Sequence, residues 1–485
     1  MSSKEQSDTP SVKHGRDLTT GSIPRHLIAF SIPMLAGSAI QTAYSIVNAI
    51  WVGQGLGTTA LAAVTVSFPV FFILMAVAGG LTMAANILGS QAYGAKDWPY
   101  LKRVVNNSII LTVSMSTLCV AVGHFFAEPL LRVMNTPPEV LPMAADYLRI
   151  FIWSMPFMFC IFLAAALLRG TGDSKTPLYF QAAFLGLTAV LDPLLMFGWL
   201  GFPKLGLNGT AVATIIANAG AVVSIAAYLQ WKQHIVAPDW RHLKADWETS
   251  WLTIRIGVPS MVQMSLISFG MLVIVGLVNA FGKDAAAAFG AAMRIDNLAF
   301  MPAMTVGMAV STLSGQNIGA HQHHRVKEVF KWGLVIGCGI ALVGSLLIVS
   351  VPGLLLRMFI KDPVVISMGV HYLRIVGAAY VVLAIMFVSN GVINGAGHTF
   401  ITTLITLIAL WGVRVPLATY MSRSMHSLNG IWYAMVLGFT AGMILSLIYY
   451  FSGRWKRPVA RKVPSGVPEH ADAEPALPLS DIMVE

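Results

Sequence analysis

The segment Leu178-Tyr-Phe-Gln-Ala-Ala-Phe-Leu-Gly-Leu-Thr-Ala-Val-Leu-Asp192-Pro193-Leu-Leu-Met-Phe-Gly-Trp-Leu200 is apolar for long enough to cross a bilayer, yet it holds a carboxylate and a proline. A charge near the middle of a spanning helix costs about 2.5 to 3.5 kcal/mol on insertion scales, so an acid kept there either pairs or works. Pro193 has no N–H, which leaves the carbonyl of Ala189 without its helical partner close to Asp192. Two oxygen sources therefore meet in one span. The other reading of the same residues is a satisfied helix-end aspartate beside a structural proline.

This run is one of a series. Six apolar stretches occupy residues 27–52, 60–88, 104–123, 140–168, 178–200 and 207–229, and six more occupy 252–281, 285–313, 329–351, 364–393, 400–420 and 428–451. Each reaches the roughly 20 residues that a hydrocarbon core demands, and the longer ones need tilt or kinks. With 485 residues, 56% hydrophobic and 11% charged, the chain has too few charges to cover a soluble surface of its size. The expected fold is an all-α integral membrane protein of 12 transmembrane helices in two pseudo-symmetric six-helix bundles.

The positive charges orient it. Most of the 31 Lys and Arg fall in the termini and the even-numbered loops, led by Lys96, Lys102, Arg103, Lys232, Arg325 and Lys327. The odd-numbered loops hold only Arg132, Lys204, Lys283, Arg357, Lys361 and Arg423. This bias puts both termini in the cytoplasm and the protein in the plasma membrane, in the manner of a bacterial inner-membrane protein. The net charge of +10 is scattered between apolar runs and forms no stripe, so it suits lipid headgroups and not nucleic acid. Cys119, Cys160 and Cys338 lie within apolar runs without metal-ligand spacing, which implies neither a disulfide framework nor a metal site.

The expected organisation follows from composition. Residues 1–20 are polar and aperiodic, a disordered cytoplasmic terminus. Residues 21–230 form the N-lobe and 251–452 the C-lobe. The linker 231–250 carries Trp231, Trp240 and Trp247 among charges, with Trp251 just beyond, and suits the headgroup layer. Residues 453–485 form a cytoplasmic tail, basic from Arg454 to Lys462 and turning after Lys462 to Pro, Ala, Glu and Asp, as a solvated segment does.

The two lobes repeat at a spacing of about 225 residues. Tyr147-Leu-Arg-Ile150 recurs as Tyr372-Leu-Arg-Ile375, and Arg169-Gly-Thr-Gly172 faces Asn394-Gly-Ala-Gly397. Gln91-Ala-Tyr-Gly-Ala95 pairs with Gln316-Asn-Ile-Gly-Ala320, Ile32-Pro33 with Val258-Pro259, and Leu207-Asn-Gly209 with Leu428-Asn-Gly430. Six spans per half, an even number, give the halves the same orientation about an axis along the membrane normal. Two such bundles can rock against each other and expose a central cavity to either side in turn, which argues for transport. A duplication kept only for stability is the alternative.

The Pro-initiated first span ending Tyr44-Ser-Ile-Val-Asn48-Ala-Ile-Trp-Val-Gly53, the Gly315-Gln-Asn-Ile-Gly-Ala320 run, Leu168-Arg-Gly-Thr-Gly-Asp173 and Leu191-Asp-Pro193 together resemble the MATE family of multidrug and toxic compound extrusion transporters. The likeness runs from about Ser22 to Phe451. It implies a monomeric antiporter that exports amphipathic, often cationic drugs or toxins in exchange for H+ or Na+, with membrane lipids around it and no further cofactor. The chain departs from the family in ways that matter. Members with an N-lobe cation site carry an aspartate where this chain has Asn48 and an asparagine where it has Thr188. Members with a C-lobe site carry a glutamate and an aspartate near positions held here by Ile267 or Ser268 and by Leu383, so that carboxylate site is expected to be absent.

Depth along the helices, at about 1.5 Å per residue, puts Asn48, Asp192 and Thr214 at one level in the outer half of the N-lobe. Gln41, Tyr44 and Asn48 share a helix face, Thr188 lies one turn before Asp192, and Asn218 lies one turn after Thr214. These oxygens, with the Ala189 carbonyl, make a candidate cation-coupling site in which Asp192 carries the only charge, and a proton is served as well as a hard cation. Ordinary interhelical hydrogen bonding explains any one of the neutral groups alone. Gln41, Tyr44, Gln263, Arg294, Asp296 and Asn390 are candidate cavity residues, because polar groups at span centres seldom face lipid. Arg414 is expected either as a structural counter-ion to one of the acids or in the cavity. Arg169 and Asp173 are expected in a cytoplasmic loop. Among the 25 Met and the 24 Phe, 12 Trp and 12 Tyr, a minority are expected to supply adaptable walls for varied cargo, the rest facing lipid or filling helix contacts.

Two rivals remain at this point. A lipid-linked substrate flippase needs a cavity basic enough for a pyrophosphate, and only Arg294 and Arg414 are at hand in the spans. A membrane-embedded transferase needs paired acids or a metal cluster; His321, His323 and His324 lie in a basic loop and supply neither. The charge bias makes its own prediction. A reporter enzyme active only outside the cytoplasm, fused after Glu485, is expected to be silent, and an active fusion would reverse the assigned orientation.

Overall fold

The structure is a computed structural model that describes residues 15–134, 136–239 and 243–457. Trp240, residues 1–14 and residues 458–485 of the expected tail lie outside the described residues. Among those described, ten helices are long and apolar enough to cross a membrane, and two further pairs, bent by 48° and 46° at short breaks, bring the spans to 12. The first half runs α1 (Ile23–Leu56), α2 (Thr58–Gly94), α3 (Trp98–Val133), the bent pair α4 (Leu141–Ile152) and α5 (Met155–Gly170), α6 (Lys175–Phe197) and α7 (Leu207–Trp231). The second runs α8 (Trp247–Asn279), α9 (Lys283–Gly319), α10 (His323–Ser350), the short α11 (Pro352–Arg357), the bent pair α12 (Pro363–Gly377) and α13 (Tyr380–Gly395), α14 (Thr399–Thr406), α15 (Val415–Ser424) and α16 (Leu428–Phe451).

Local chemistry starts these helices. The side chains of Asp97, Asp246 and Asp362 cap α3, α8 and α12 by accepting backbone N–H groups of Tyr100, Thr249 and Val364. The repeat extends to defects, since both bent pairs break at equivalent positions, after Ile152 and after Gly377. One feature breaks the symmetry. The eleventh span, expected as a single run, contains a π-helical stretch at Leu407–Arg414 between α14 and α15.

The lobes join at the face where the described ends of the chain lie, and the motif repeated at Gln91 and Gln316 makes the seam. Gln91 Nε2 donates to the carbonyl of Gly395 at 2.8 Å, and Gln316 Nε2 donates to the carbonyl of Gly170 at 2.8 Å. Each amide thus crosses to the other lobe, in a reciprocal pair. A Cβ on Gly94 would stand 1.9 Å from the Gln316 carbonyl oxygen, and one on Gly319 would stand 2.0 Å from that of Gln91, so only glycine lets the backbones meet. Asn86 adds a bridge, accepting from the Thr312 hydroxyl at 3.2 Å and donating to the Ala166 carbonyl at 3.1 Å.

Both described ends of the chain are anchored by a buried side chain. Gly15, Arg16, Asp17 and Thr20 are exposed, but Leu18 is wholly buried, its N–H donates to Gln316 Oε1 at 3.0 Å, and its carbonyl accepts from Asn317. Leu18 continues into a core with Ile23, Leu27 and Phe30 of α1 and with Val306, Val310 and Val329 of the C-lobe, so hydrophobic burial outweighs the local polarity. Trp455, ahead of the Pro-rich and acidic part of the tail, is 2% exposed and stacks on Tyr450. The linker is tied down through α3: Lys102 Nζ donates to the Ala237 carbonyl at 2.7 Å, and Asn107 exchanges hydrogen bonds with the Asp246 backbone at 3.0 and 3.1 Å. Trp231, Trp247 and Trp251 stay exposed, as a headgroup-facing segment requires.

The seam yields a test. Gly94→Val is expected to lower the thermal midpoint of the purified protein, since overpacking here costs about 1 to 3 kcal/mol. Gly186→Ala, where an added Cβ meets nothing within 4 Å, is expected to leave it unchanged.

Candidate functional site

The half of the N-lobe away from the seam encloses a cavity of about 260 Å³ among α1, α2 and α4 to α7. Gln41, Tyr44 and Asn48 of α1, Thr188 of α6, and Thr210, Thr214 and Asn218 of α7 line it, with Phe68, Phe71 and Phe162 as apolar walls. Asp192 lies just behind this lining and is 0% exposed. Its Oδ2 accepts from the Tyr44 hydroxyl at 3.2 Å and from Asn48 Nδ2 at 3.0 Å. Its Oδ1 is buried with no hydrogen-bond partner. One carboxylate oxygen is therefore held by α1 while the other is free to take a proton or a cation.

The neighbouring groups contribute less directly than their spacing suggests. The Thr188 and Thr214 hydroxyls donate to the Phe184 and Thr210 carbonyls of their own helices, at 2.8 and 2.9 Å, so each presents only oxygen lone pairs to the cavity. Pro193 is buried within an otherwise continuous α6, and Ala189 is half-buried one turn before it. Gln41 accepts from Gln181 Nε2 at 3.2 Å, which ties α1 to α6 at the cavity mouth. Tyr147 of α4 also lines the cavity, within electrostatic range of Asp192. Sequence reasoning used the Tyr147 motif only as a repeat; its recurrence at Tyr372, beside the other buried acid, was the signal that could have marked both tyrosines.

In the C-lobe the candidates separate. Asp296 is 3% exposed and receives the hydroxyls of both Tyr372 and Tyr380, so it is locked in the core and does not line the N-lobe cavity. Arg294, expected near it in a cavity, is exposed and lies over the Phe359 ring at 5.9 Å, because two residues of helix turn it away. Arg414 makes no ion pair among the described residues; it sits within electrostatic range of Asp296, not of Asp192, over the Phe439 ring at 4.9 Å. Gln263 donates to the Thr402 carbonyl and to Thr406 Oγ1, and Asn390 accepts from Ser446, so both act as ties between helices. Among the described residues no group of three or more His, Cys, Asp or Glu could hold a metal.

A second cavity, of about 430 Å³, lies between the lobes, lined by α2, α5 and α8. It corrects one placement. Arg169 stands on the last turn of α5 and lines this cavity, not a loop, because α5 runs two residues further than the apolar run.

Two six-span halves clasped at one face, each side of a water-poor interior furnished with isolated polar groups, define a membrane transporter of the two-lobe type. The chain belongs to the MatE family, whose model matches residues 33–194 and again 259–420. The two matches begin at Pro33 and Pro259, the repeat pair found in the sequence. Among its relatives, "Probable multidrug resistance protein YoeA" of Bacillus subtilis is 33% identical over 90% of this chain and 95% of its own length. "Probable multidrug resistance protein YpnP" of the same organism is 31% identical over 91% of this chain and 97% of its own length. A solved structure described as the outward-facing conformation of a multidrug resistance MATE family transporter superposes with a TM-score of 0.84 at 23% identity, covering 90% of this chain and 97% of that one.

The locked acid gives a prediction separable from transport. Tyr372→Phe and Tyr380→Phe each remove one hydroxyl from Asp296, and each is expected to destabilise the protein by about 1 to 3 kcal/mol. Denaturation of the purified variants measures this, and an unchanged midpoint for both would show that Asp296 does not need these bonds.

Proposed function

We propose that this multidrug efflux transporter is a secondary active antiporter that exports amphipathic, cationic compounds in exchange for H+ or Na+, with the seam face of the bundle in the cytoplasm. The observation that supports this most is the state of Asp192: wholly buried, one oxygen bonded by Tyr44 and Asn48, the other without a partner. A buried carboxylate with a free oxygen is unstable as a bare anion and gains most when a proton or a sodium ion arrives. Because both of its bonds come from α1, a change in the ion bound by Asp192 changes how α1 is held against α6. An ion drives a conformational change only as far as it prefers one state over the other, and Asp192 supplies such a preference in the N-lobe. Unloaded, its charge favours a cationic cargo in the adjoining cavity; loaded, that attraction is gone. Phe68, Phe71 and Phe162 offer ring faces to such a cargo.

The test is efflux of ethidium from cells or proteoliposomes under an imposed H+ or Na+ gradient. Asp192→Asn is expected to abolish gradient-driven efflux, and Asn48→Ala to weaken it, while both variants remain folded. Undiminished coupled transport by Asp192→Asn would remove Asp192 from the coupling step. The gradient that drives the wild type identifies the ion.

A further inference from the structure

The interlobe cavity contains a charge for which the coupling scheme has no use. Arg169 lines it together with Phe72, Met75, Phe162 and Met264, and among the described residues its guanidinium has neither an ion pair nor a hydrogen bond. The other polar side chains on the wall are Thr82 and Ser268, whose hydroxyls donate to the Gly79 and Met264 carbonyls of their own helices, each at 3.0 Å. Among the described residues no acid lines the cavity. The nearest acid in the chain, Asp173, accepts through Oδ1 from the backbone N–H groups of Lys175 and Thr176, at 3.0 Å each, and lines a different cavity with Arg16 and Lys175. Five N–H donors therefore stand in the wall of an apolar chamber with nothing among the described residues to receive them.

We propose that the cavity between α2, α5 and α8 binds an amphipathic anion. Arg169 takes its carboxylate, sulfonate or phosphate group as a two-pronged donor, and the apolar body lies on Phe72, Met75, Phe162 and Met264. The planar fork of a guanidinium matches such groups better than an ammonium does. The thioethers of Met75 and Met264 and the two phenylalanine rings adapt to bodies of different shape. Phe162 also lines the N-lobe cavity, so the two chambers adjoin. The site also sits beside the seam: Gly170, the next residue after Arg169, offers the carbonyl that receives Gln316 from the other lobe. The occupant comes either from solution, as an exported compound, or from the membrane, as an anionic lipid; the recognising chemistry is the same.

Fluorescence titration of the full-length protein in nanodiscs separates these outcomes, with anilinonaphthalene sulfonate as probe and a trimethylammonium dye of similar ring system as its counterpart. In phosphatidylcholine, Arg169→Gln is expected to weaken sulfonate binding by about tenfold or more, to leave trimethylammonium binding unchanged, and Arg169→Lys to retain part of the affinity. Unchanged trimethylammonium binding shows that the variant is folded. Adding phosphatidylglycerol to the nanodiscs assigns the source: displacement of the sulfonate means that the membrane supplies the occupant, and retention means that a soluble amphiphile does. Equal sulfonate affinity in the wild type and Arg169→Gln, or a loss of both probes together in Arg169→Lys, would overturn the site. Asp192→Asn is expected to leave sulfonate binding intact, so failure of the coupling scheme and failure of this site give different results.

Discussion

The molecule is organised by a reciprocal exchange at one face of the bundle, where each lobe lends a glutamine amide to a backbone carbonyl of the other. Gln91 reaches Gly395 and Gln316 reaches Gly170, and all four atoms lie among buried residues where water cannot replace the partner. The glycines at 94 and 319 permit this by letting helix backbones touch without a Cβ between them. The N-lobe cavity lies in the opposite half, away from this clasp. The bond is made twice, once from each half of the repeat.

The two buried acids show how the same group serves different ends. Asp296 has both oxygens engaged by tyrosine hydroxyls inside a dense aromatic core of Phe289, Tyr372 and Trp432, and nothing about it invites change. Asp192 has one oxygen held and one free, and it sits against a cavity. The difference lies neither in burial nor in the number of partners, which is two for each acid, but in their distribution: one on each oxygen of Asp296, both on the same oxygen of Asp192. An acid of the second kind is under-satisfied, and under-satisfied buried groups are where a protein stores the capacity to respond.

The duplication set up this division without determining it. Tyr147 and Tyr372 occupy equivalent positions, each beside an acid, yet the acids come from different helices, α6 and α9. The lobes therefore share a frame and a tyrosine but have placed their charges independently. Arg169 and Asn394 tell the same story at the seam, equivalent in the repeat and opposite in character: one lines the interlobe cavity as a cation, the other accepts from the Thr402 hydroxyl within its own lobe.

The spans, their number, the repeat and the placement of Asp192 near Asn48 were legible in the sequence. A bilayer forces long apolar runs, and a helix rises by a constant step, so depth can be counted along one chain. The count set Asn48 level with Asp192, whereas the bond from Tyr44 to Asp192 came only with the packed structure. What one chain cannot show is rotation about each helix axis and the partner that rotation selects. Gln91 and Gly395 are 304 residues apart, and Asp296 and Tyr380 are 84 apart. Gln263, Asn390 and Arg294 had the right residue types at the right depth and still turned to other helices or to the surface. Arg169 read as a loop residue because its apolar run stops before it, although its helix does not. Periodicity determined which residues share a level, because the backbone geometry is fixed; only the packed structure decided which atoms on that level meet, because that depends on the angle at which two distant helices face each other.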